Sequence, residues 1–308
     1  MNKQAPGLIQ RAAARLQQSR TDTRPIPADA NTDAAPAQPA YVATHFEPIE
    51  KHARPALSGH ERQVTISPAT LAANGITLPS GGFSRTTEEF RALKRYVLNN
   101  VLRSGTSGNQ LAKRIVLVTS ARAGEGKTFN AVNLALALAY EKDARVLLMD
   151  ADAYRQSLMG SLGISANAGW LDMIAGGSGA PDEYILRTNI PNFSVLPSGK
   201  ERAEIPELMA SRHMGKLLDE LVAADPARFI VIDSLPCLAS TEPAILAALA
   251  GQTLFVVAAH QTSKEDVESS LRLLHASQSV SLVLNRAEPL LTEQFKGYGY
   301  GYGYGNQR

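Results

Sequence analysis

Ile115-Val116-Leu117-Val118-Thr119-Ser120-Ala121-Arg122-Ala123-Gly124-Glu125-Gly126-Lys127-Thr128 is followed at once by the apolar run from Ala131 to Ala139. An uninterrupted apolar segment rich in valine reads as a buried strand, and the alanine and leucine run behind Lys127 reads as a buried helix. Between them lies a loop whose glycines, Gly124 and Gly126, let backbone amides turn toward an anion at the helix N-terminus. In the order strand, glycine-bearing loop, Lys-Thr, helix, this is a phosphate-binding P-loop. Ala123, Gly124, Glu125, Gly126, Lys127, Thr128 and Phe129 are therefore the expected nucleotide contacts. Lys127 is expected to reach the outer phosphates and the Thr128 hydroxyl a Mg²⁺ ion. Ala121 stands where the motif usually has its first glycine.

Outward from this loop, apolar strands alternate with helices to about residue 284: strands at Arg145 to Met149, Phe193 to Leu196, Phe229 to Ile232, Thr253 to Ala258 and Val280 to Leu284, with helices between, among them Pro206 to Val222. That alternation predicts an α/β fold with a doubly wound, mostly parallel sheet covered on both faces, a P-loop nucleotide triphosphatase architecture. Two strands end in acids, at Asp150-Ala151-Asp152 and at Asp233. A parallel sheet delivers both to its carboxyl edge beside the P-loop. Lys127, Asp150, Asp152 and Asp233 are the expected catalytic residues, and Thr128 with the three aspartates the expected Mg²⁺ ligands. Asp233 fits the metal's water shell, while Asp150 and Asp152 suit metal binding or proton acceptance.

Composition narrows the classes further. The 308 residues are 44% hydrophobic and 19% charged, an ordinary globular balance. The single cysteine, Cys237, excludes an internal disulfide and a cysteine-cluster metal site and suits a reducing compartment, and no apolar run is long enough to span a bilayer. With no cleavable leader after Met1, a cytoplasmic location is expected. His213 and His260 lack ligand-spaced partners, and Trp170 reads as packing. A net charge of +2 argues against nucleic acid as a partner, although residues 1 to 110 carry +5 and the rest −3.

Residues 1–18 read as an amphipathic helix with Leu8, Ile9, Ala12, Ala13 and Leu16 on one face. Residues 19–84, rich in proline, alanine and threonine, read as a disordered linker. The globular domain is expected over 85–290, opening with a helix capped at Thr86-Thr87-Glu88-Glu89. Residues 291–308 form a glycine and tyrosine tail holding four of the nine tyrosines, Tyr298, Tyr300, Tyr302 and Tyr304.

The succession AxxGEGKT, LLMDAD and FIVIDSLP resembles the bacterial tyrosine kinases, whose Walker A, A′ and B motifs sit on a P-loop domain. Glu89-Phe90-Arg91, Thr188-Asn189-Ile190, Leu196-Pro197-Ser198-Gly199, Pro206-Glu207-Leu208, Leu284-Asn285-Arg286 and the early GLIQRAAARL segment look like the exopolysaccharide-associated, exosortase A (XrtA, EpsG-like) branch. The resemblance implies an ATP- and Mg²⁺-dependent autokinase that phosphorylates Tyr298, Tyr300, Tyr302 and Tyr304 and regulates exopolysaccharide polymerisation and export. It also implies a homo-oligomeric ring formed through an ExxRxxR helix, whose spacing is matched by Glu88, Arg91 and Lys94. Implied partners are a separate membrane polysaccharide co-polymerase or chain-length determinant protein as activator, holding the chain at the inner membrane, and a tyrosine phosphatase. Lys94, Tyr154 and Leu235 depart from the usual pattern. Two other readings share the core: a partitioning or division-site switch ATPase, whose signature lysine position is held here by Arg122, and a weakly catalytic ATP-binding scaffold in polysaccharide assembly.

Overall fold

The computed structural model describes residues 63–79, 84–103, 111–155, 157–176, 180–200 and 204–288. The chain divides into two units, Met1–Glu47 and Pro48–Arg308, and every described residue belongs to the second. The expected helix 1–18, most of the expected linker and the four tail tyrosines lie outside the described residues.

The strands are β1 (Gln63–Val64), β2 (Ile115–Ser120), β3 (Arg145–Asp150), β4 (Leu186–Thr188), β5 (Phe193–Leu196), β6 (Arg228–Asp233), β7 (Gln252–Ala258) and β8 (Val280–Asn285). They form one sheet in the order β1-β4-β5-β3-β6-β2-β7-β8. All neighbouring pairs run parallel except β4 with β5. The helices are α1 (Pro68–Ala73), α2 (Arg85–Arg103), α3 (Lys127–Ala139), α4 (Ser157–Leu162), α5 (Trp170–Ile174), α6 (Ile205–Ala210), α7 (Arg212–Ala223), α8 (Glu242–Leu249) and α9 (Lys264–Leu273).

Every residue of β2 is buried, and so are Ala131 through Ala139 of α3, which is what a strand and helix apolar on all sides require. Two cores flank the sheet. On one side α3 and Phe90 and Val97 of α2 meet Val116, Val118, Val146 and Leu148. On the other, Trp170, Met214, Leu217, Leu221 and Leu246 meet Ile115, Leu117, Leu147 and Ile232. The alternation of β2 and β3 between these two sets is the period of two of a strand.

Three expectations need correction. The stretch 63–79 of the expected linker is ordered: β1 pairs with β4, α1 follows, and Ile66, Leu71 and Ile76 are buried in the first core. The proline-rich residues before it hid three well-spaced apolar anchors, and Ile66 is held further by Asn189, which accepts from its amide at 2.8 Å. Pro206 to Val222 is two helices, because Ser211 is extended (ψ 155°) and ends α6 as it starts α7. Finally, β8 is not covered on both faces, since Leu282 and Leu284 are 59% and 63% exposed.

Candidate nucleotide and metal site

The loop between β2 and α3 is built by its glycines and by what they let approach. Gly124 and Gly126 have left-handed backbones (φ +83° and +98°), open to glycine at no steric cost. At Gly126 a Cβ would also lie 2.1 Å from the Asn285 side-chain nitrogen. Ala121, by contrast, has no such backbone, and its methyl is wholly buried in the second core, so the missing first glycine leaves the loop intact.

Four side chains brace this loop from outside. Asn285 Nδ2 donates to the Glu125 carbonyl at 2.9 Å, and Arg286 donates to the Gly124 carbonyl at 2.7 Å. The Glu125 carboxylate, 4% exposed, accepts from the Arg122 amide (2.8 Å) and from the Thr262 hydroxyl (2.6 Å). The Arg122 guanidinium forms a two-pronged pair with Asp266, at 2.7 and 2.9 Å, which holds that carboxyl below its ordinary range. Glu125 is thus a loop brace, with its carboxylate committed to the protein. The Phe129 ring packs edge-on against Phe90, centroids 5.8 Å apart, and faces the core. Ala123 is exposed on the loop.

Lys127 is buried beside the acids. β3 and β6 are in register so that Asp150 pairs with Asp233, which puts both carboxylates at the carboxyl edge, as the parallel arrangement required. Asp150 is held by one bond from the Asp152 amide (3.1 Å), and its carbonyl accepts from the Trp170 indole at 2.7 Å. Yet Asp150 Oδ2, Asp152 Oδ1 and both oxygens of Asp233 are buried without a hydrogen-bond partner.

Buried and unpaired, these carboxylates hold protons tightly. Asp150 is pushed up to about 8, first by burial and then by Asp233. Asp233 rises to about 7 through burial, against the pull of the Thr128 hydroxyl and Lys127. Asp152 is also raised by burial, with Lys127 and Arg155 opposing. Orphaned carboxylate oxygens beside a threonine hydroxyl suit a hard cation with oxygen ligands. Among the described residues no group of three or more His, Cys, Asp or Glu side chains can hold a metal unaided. A hard cation such as Mg²⁺ held here by Thr128 and these oxygens would have to complete its shell with water and phosphate oxygens.

Thr128 touches the hydroxyl of Ser157 at the start of α4, Oγ to Oγ 3.2 Å. Sequence reasoning missed Ser157, Thr262 and the bracing role of Asn285 and Arg286. Their partners are far along the chain, and short polar residues carry no periodic signal. Tyr154 stands 45% exposed beside the acids, its hydroxyl donating to Glu242 at 3.3 Å. Glu88, Arg91 and Lys94 lie half-buried along α2. Glu88 and Arg91 pair with each other, and Lys94 pairs with Glu141 of the same chain.

Comparison with known proteins agrees with this geometry. The AAA domain family model matches residues 113–286, more than half of the chain. The provisionally named tyrosine-protein kinase EpsB of Ralstonia nicotianae is 32% identical over 185 residues, covering 59% of this chain and 24% of that protein. Tyrosine-protein kinase CpsD of Streptococcus agalactiae is 26% identical over 189 residues, 61% of this chain and 81% of CpsD. The VpsO kinase domain superposes with a TM-score of 0.52 at 26% identity, covering 64% of this chain and 98% of that domain. The chain thus spans about a quarter of the length of EpsB but most of CpsD and the VpsO domain. A P-loop on a parallel sheet, two acid-tipped strands at its carboxyl edge and the family match lead to one conclusion: the chain belongs to the AAA domain family, and the relatives it is similar to are bacterial tyrosine kinases.

Proposed function

We propose that this chain transfers the γ-phosphoryl group of ATP to tyrosines of its own C-terminal tail, Tyr298, Tyr300, Tyr302 and Tyr304. One observation carries the reading: four orphaned carboxylate oxygens are held beside a braced P-loop and a buried lysine. The tyrosine oxygen forms a bond to the γ-phosphorus as the bond from phosphorus to the β,γ-bridging oxygen breaks. ADP leaves, and the phenolic proton passes to Asp152. Lys127 neutralises charge on the outer phosphates, and the amides of Gly124 to Thr128 orient them. Mg²⁺, bound through Thr128, Asp150 and Asp233, would offset the charge that develops on the phosphates.

Tyrosine phosphorylation of the tail would regulate exopolysaccharide polymerisation and export. The XrtA-associated, EpsG-like motifs and the early GLIQRAAARL segment support this assignment. No described helix is long and apolar enough to cross a membrane, and the activator is proposed to be a membrane polysaccharide co-polymerase that brings the chain to the inner membrane. A tyrosine phosphatase would reset the tail. A ring of copies, using Glu88, Arg91 and Lys94, would present each tail to the next subunit.

The test incubates the purified chain with ATP and Mg²⁺, digests it with trypsin and weighs the fragment Gly297 to Arg308, Lys296 being the last internal cleavage site. One to four added phosphates are expected, and none in Lys127→Met. A fragment that stays unmodified with the activator present overturns the assignment.

A further inference from the structure

At the amino edge of the sheet, the end opposite the nucleotide site, three arginines share one face. β3 and β6 place Arg145 beside Arg228 in register. The next residues on that face, Leu147 and Ile230, lie in the second core, so both arginines leave the sheet on that core's side. Arg187 of β4 pairs with Ser194 of β5, while Leu186 and Val195 beside them lie in the first core. Strand alternation therefore turns Arg187 to the second side as well. The length of β3, at about 3.3 Å per residue, sets Arg145 about 17 Å from Asp150.

Like charges on neighbouring strands are unfavourable, and this corner answers them only in part. Arg145 bonds the Asp225 carboxylate at 2.8 Å. Arg228 donates to the Leu221 carbonyl at 2.9 Å and stands 3.9 Å from Asp182, beyond hydrogen-bond reach. Arg114 is engaged with backbone, donating to the carbonyls of Asp225, Pro226 and Arg228, and so fixes the turn that carries Asp225. Burial holds Arg228 below the usual guanidinium range; Asp182 and Asp225 oppose this, and Arg145 and Arg187 add to it. Around Arg228, three guanidiniums thus meet two carboxylates, and the Asp182 carboxylate is 68% exposed. The Arg145 side chain is itself 42% exposed, so the corner opens to solvent.

We infer that this corner is an anion site separate from the P-loop, whose ligand is phosphate or a small phosphate monoester held by Arg145, Arg187 and Arg228. Each guanidinium carries five N–H donors in a planar fork, and the bonds above engage one on Arg145 and one on Arg228. A tetrahedral phosphate offers oxygens to more than one fork at once, whereas the two oxygens of a carboxylate are filled by a single fork. Its negative charge turns the repulsion among the arginines into attraction to a shared centre. Strand register and the Arg114 clamp hold the neighbouring groups in place before the ligand arrives.

The test titrates inorganic phosphate into the full-length chain with ADP filling the P-loop, reading the heat of binding and the melting temperature against sodium chloride at equal ionic strength. Phosphate should raise the melting temperature where chloride does not. Arg145→Gln and Arg187→Gln should each weaken phosphate binding about tenfold or more, the scale of one lost hydrogen bond to a charged group, while ADP affinity stays within twofold. Arg187→Lys should restore part of the affinity, since lysine keeps the charge without the fork. Arg187→Gln also leaves the Arg145–Asp225 pair intact, so the test stands even where Arg145→Gln fails to fold. Methyl phosphate separates the two sources: binding as tight as that of the free ion assigns the site to a monoester, and weaker binding assigns it to inorganic phosphate. Unchanged phosphate affinity in folded Arg187→Gln overturns the site. Phosphate binding that Lys127→Met removes and the arginine variants keep does the same, because it places the anion in the P-loop. An equal effect of chloride, which is screening alone, also overturns it.

Discussion

The two halves of the site are prepared in opposite ways. On the P-loop side, Asn285, Arg286, Thr262 and the Arg122–Asp266 pair hold the backbone in its anion-ready shape before any ligand arrives. On the acidic side, Asp150, Asp152 and Asp233 are packed into the protein with oxygens that nothing pairs. One half is stabilised by its neighbours; the other carries an unfavourable burial that a bound cation would relieve. Such a division places geometry in the loop and binding energy in the acids, where a ligand relieves the unfavourable burial.

The most drastic way to break the comparison removes the residue between the halves. Lys127→Met should lower tail phosphorylation by roughly 10²- to 10³-fold, the scale for losing a preorganised charge in a dry site. Circular dichroism should show the fold retained. A folded variant with near-normal labelling would mean that Lys127 is not the phosphate cation.

The acidic half is sharpened by pH. With folded values raised to about 8 and about 7, Asp150 and Asp233 keep protons that the unfolded chain has already released above the ordinary carboxylate range. The sign is therefore unusual for aspartates. Stability of the Mg²⁺-free chain should decline as pH rises from about 4 toward 8 and level off above, and Mg²⁺ with ATP should remove most of that slope. Asp233→Asn should flatten the slope and raise the ligand-free melting temperature at pH 8, while abolishing Mg²⁺-dependent transfer. Thermal melts across the pH range read both effects, and a ligand-free stability that rises toward pH 8 would contradict the burial argument.

The bracing half should yield a smaller effect. Asn285→Ala removes one hydrogen bond to the loop, worth about 1 kcal/mol, so the KM for ATP should rise about fivefold with little change in melting temperature. No change in KM would show that the loop holds its shape without β8.

Smallest of all should be Arg91→Ala. Its pair with Glu88 is substantially exposed, and exposed pairs contribute about 0 to 1 kcal/mol. Melting of the dilute chain should barely move, whereas sedimentation at high concentration should show smaller assemblies if α2 carries the ring contact. Unchanged assembly size would remove α2 from the interface.

How much of this was legible in the sequence follows the same division. Strand β2, the glycines, Lys127 and the acids that end β3 and β6 announce themselves, because apolar runs fix the strands and the parallel arrangement fixes which end each acid occupies. The braces did not. Glu125 finds Thr262 across 137 positions and Asn285 finds Glu125 across 160, and no local pattern records such pairs. The stretch 63–79 hid behind the prolines around it, its three apolar anchors too few to outweigh the composition of their surroundings.

That edge strand also has a bearing on biosynthesis. Gln63 pairs with Arg187 and Val64 with Thr188, so a ribosome must add more than 120 residues after β1 before its partner exists. At about 5 to 20 residues per second, that is a wait of roughly 6 to 25 s. Throughout it, Ile66 and Leu71 lack most of the core that will cover them, and the nascent chain carries an unsatisfied sticky segment for chaperones to shield. β1 can pair only once β4 has been made, with the central strand β6 and the strands β7 and β8 still to follow.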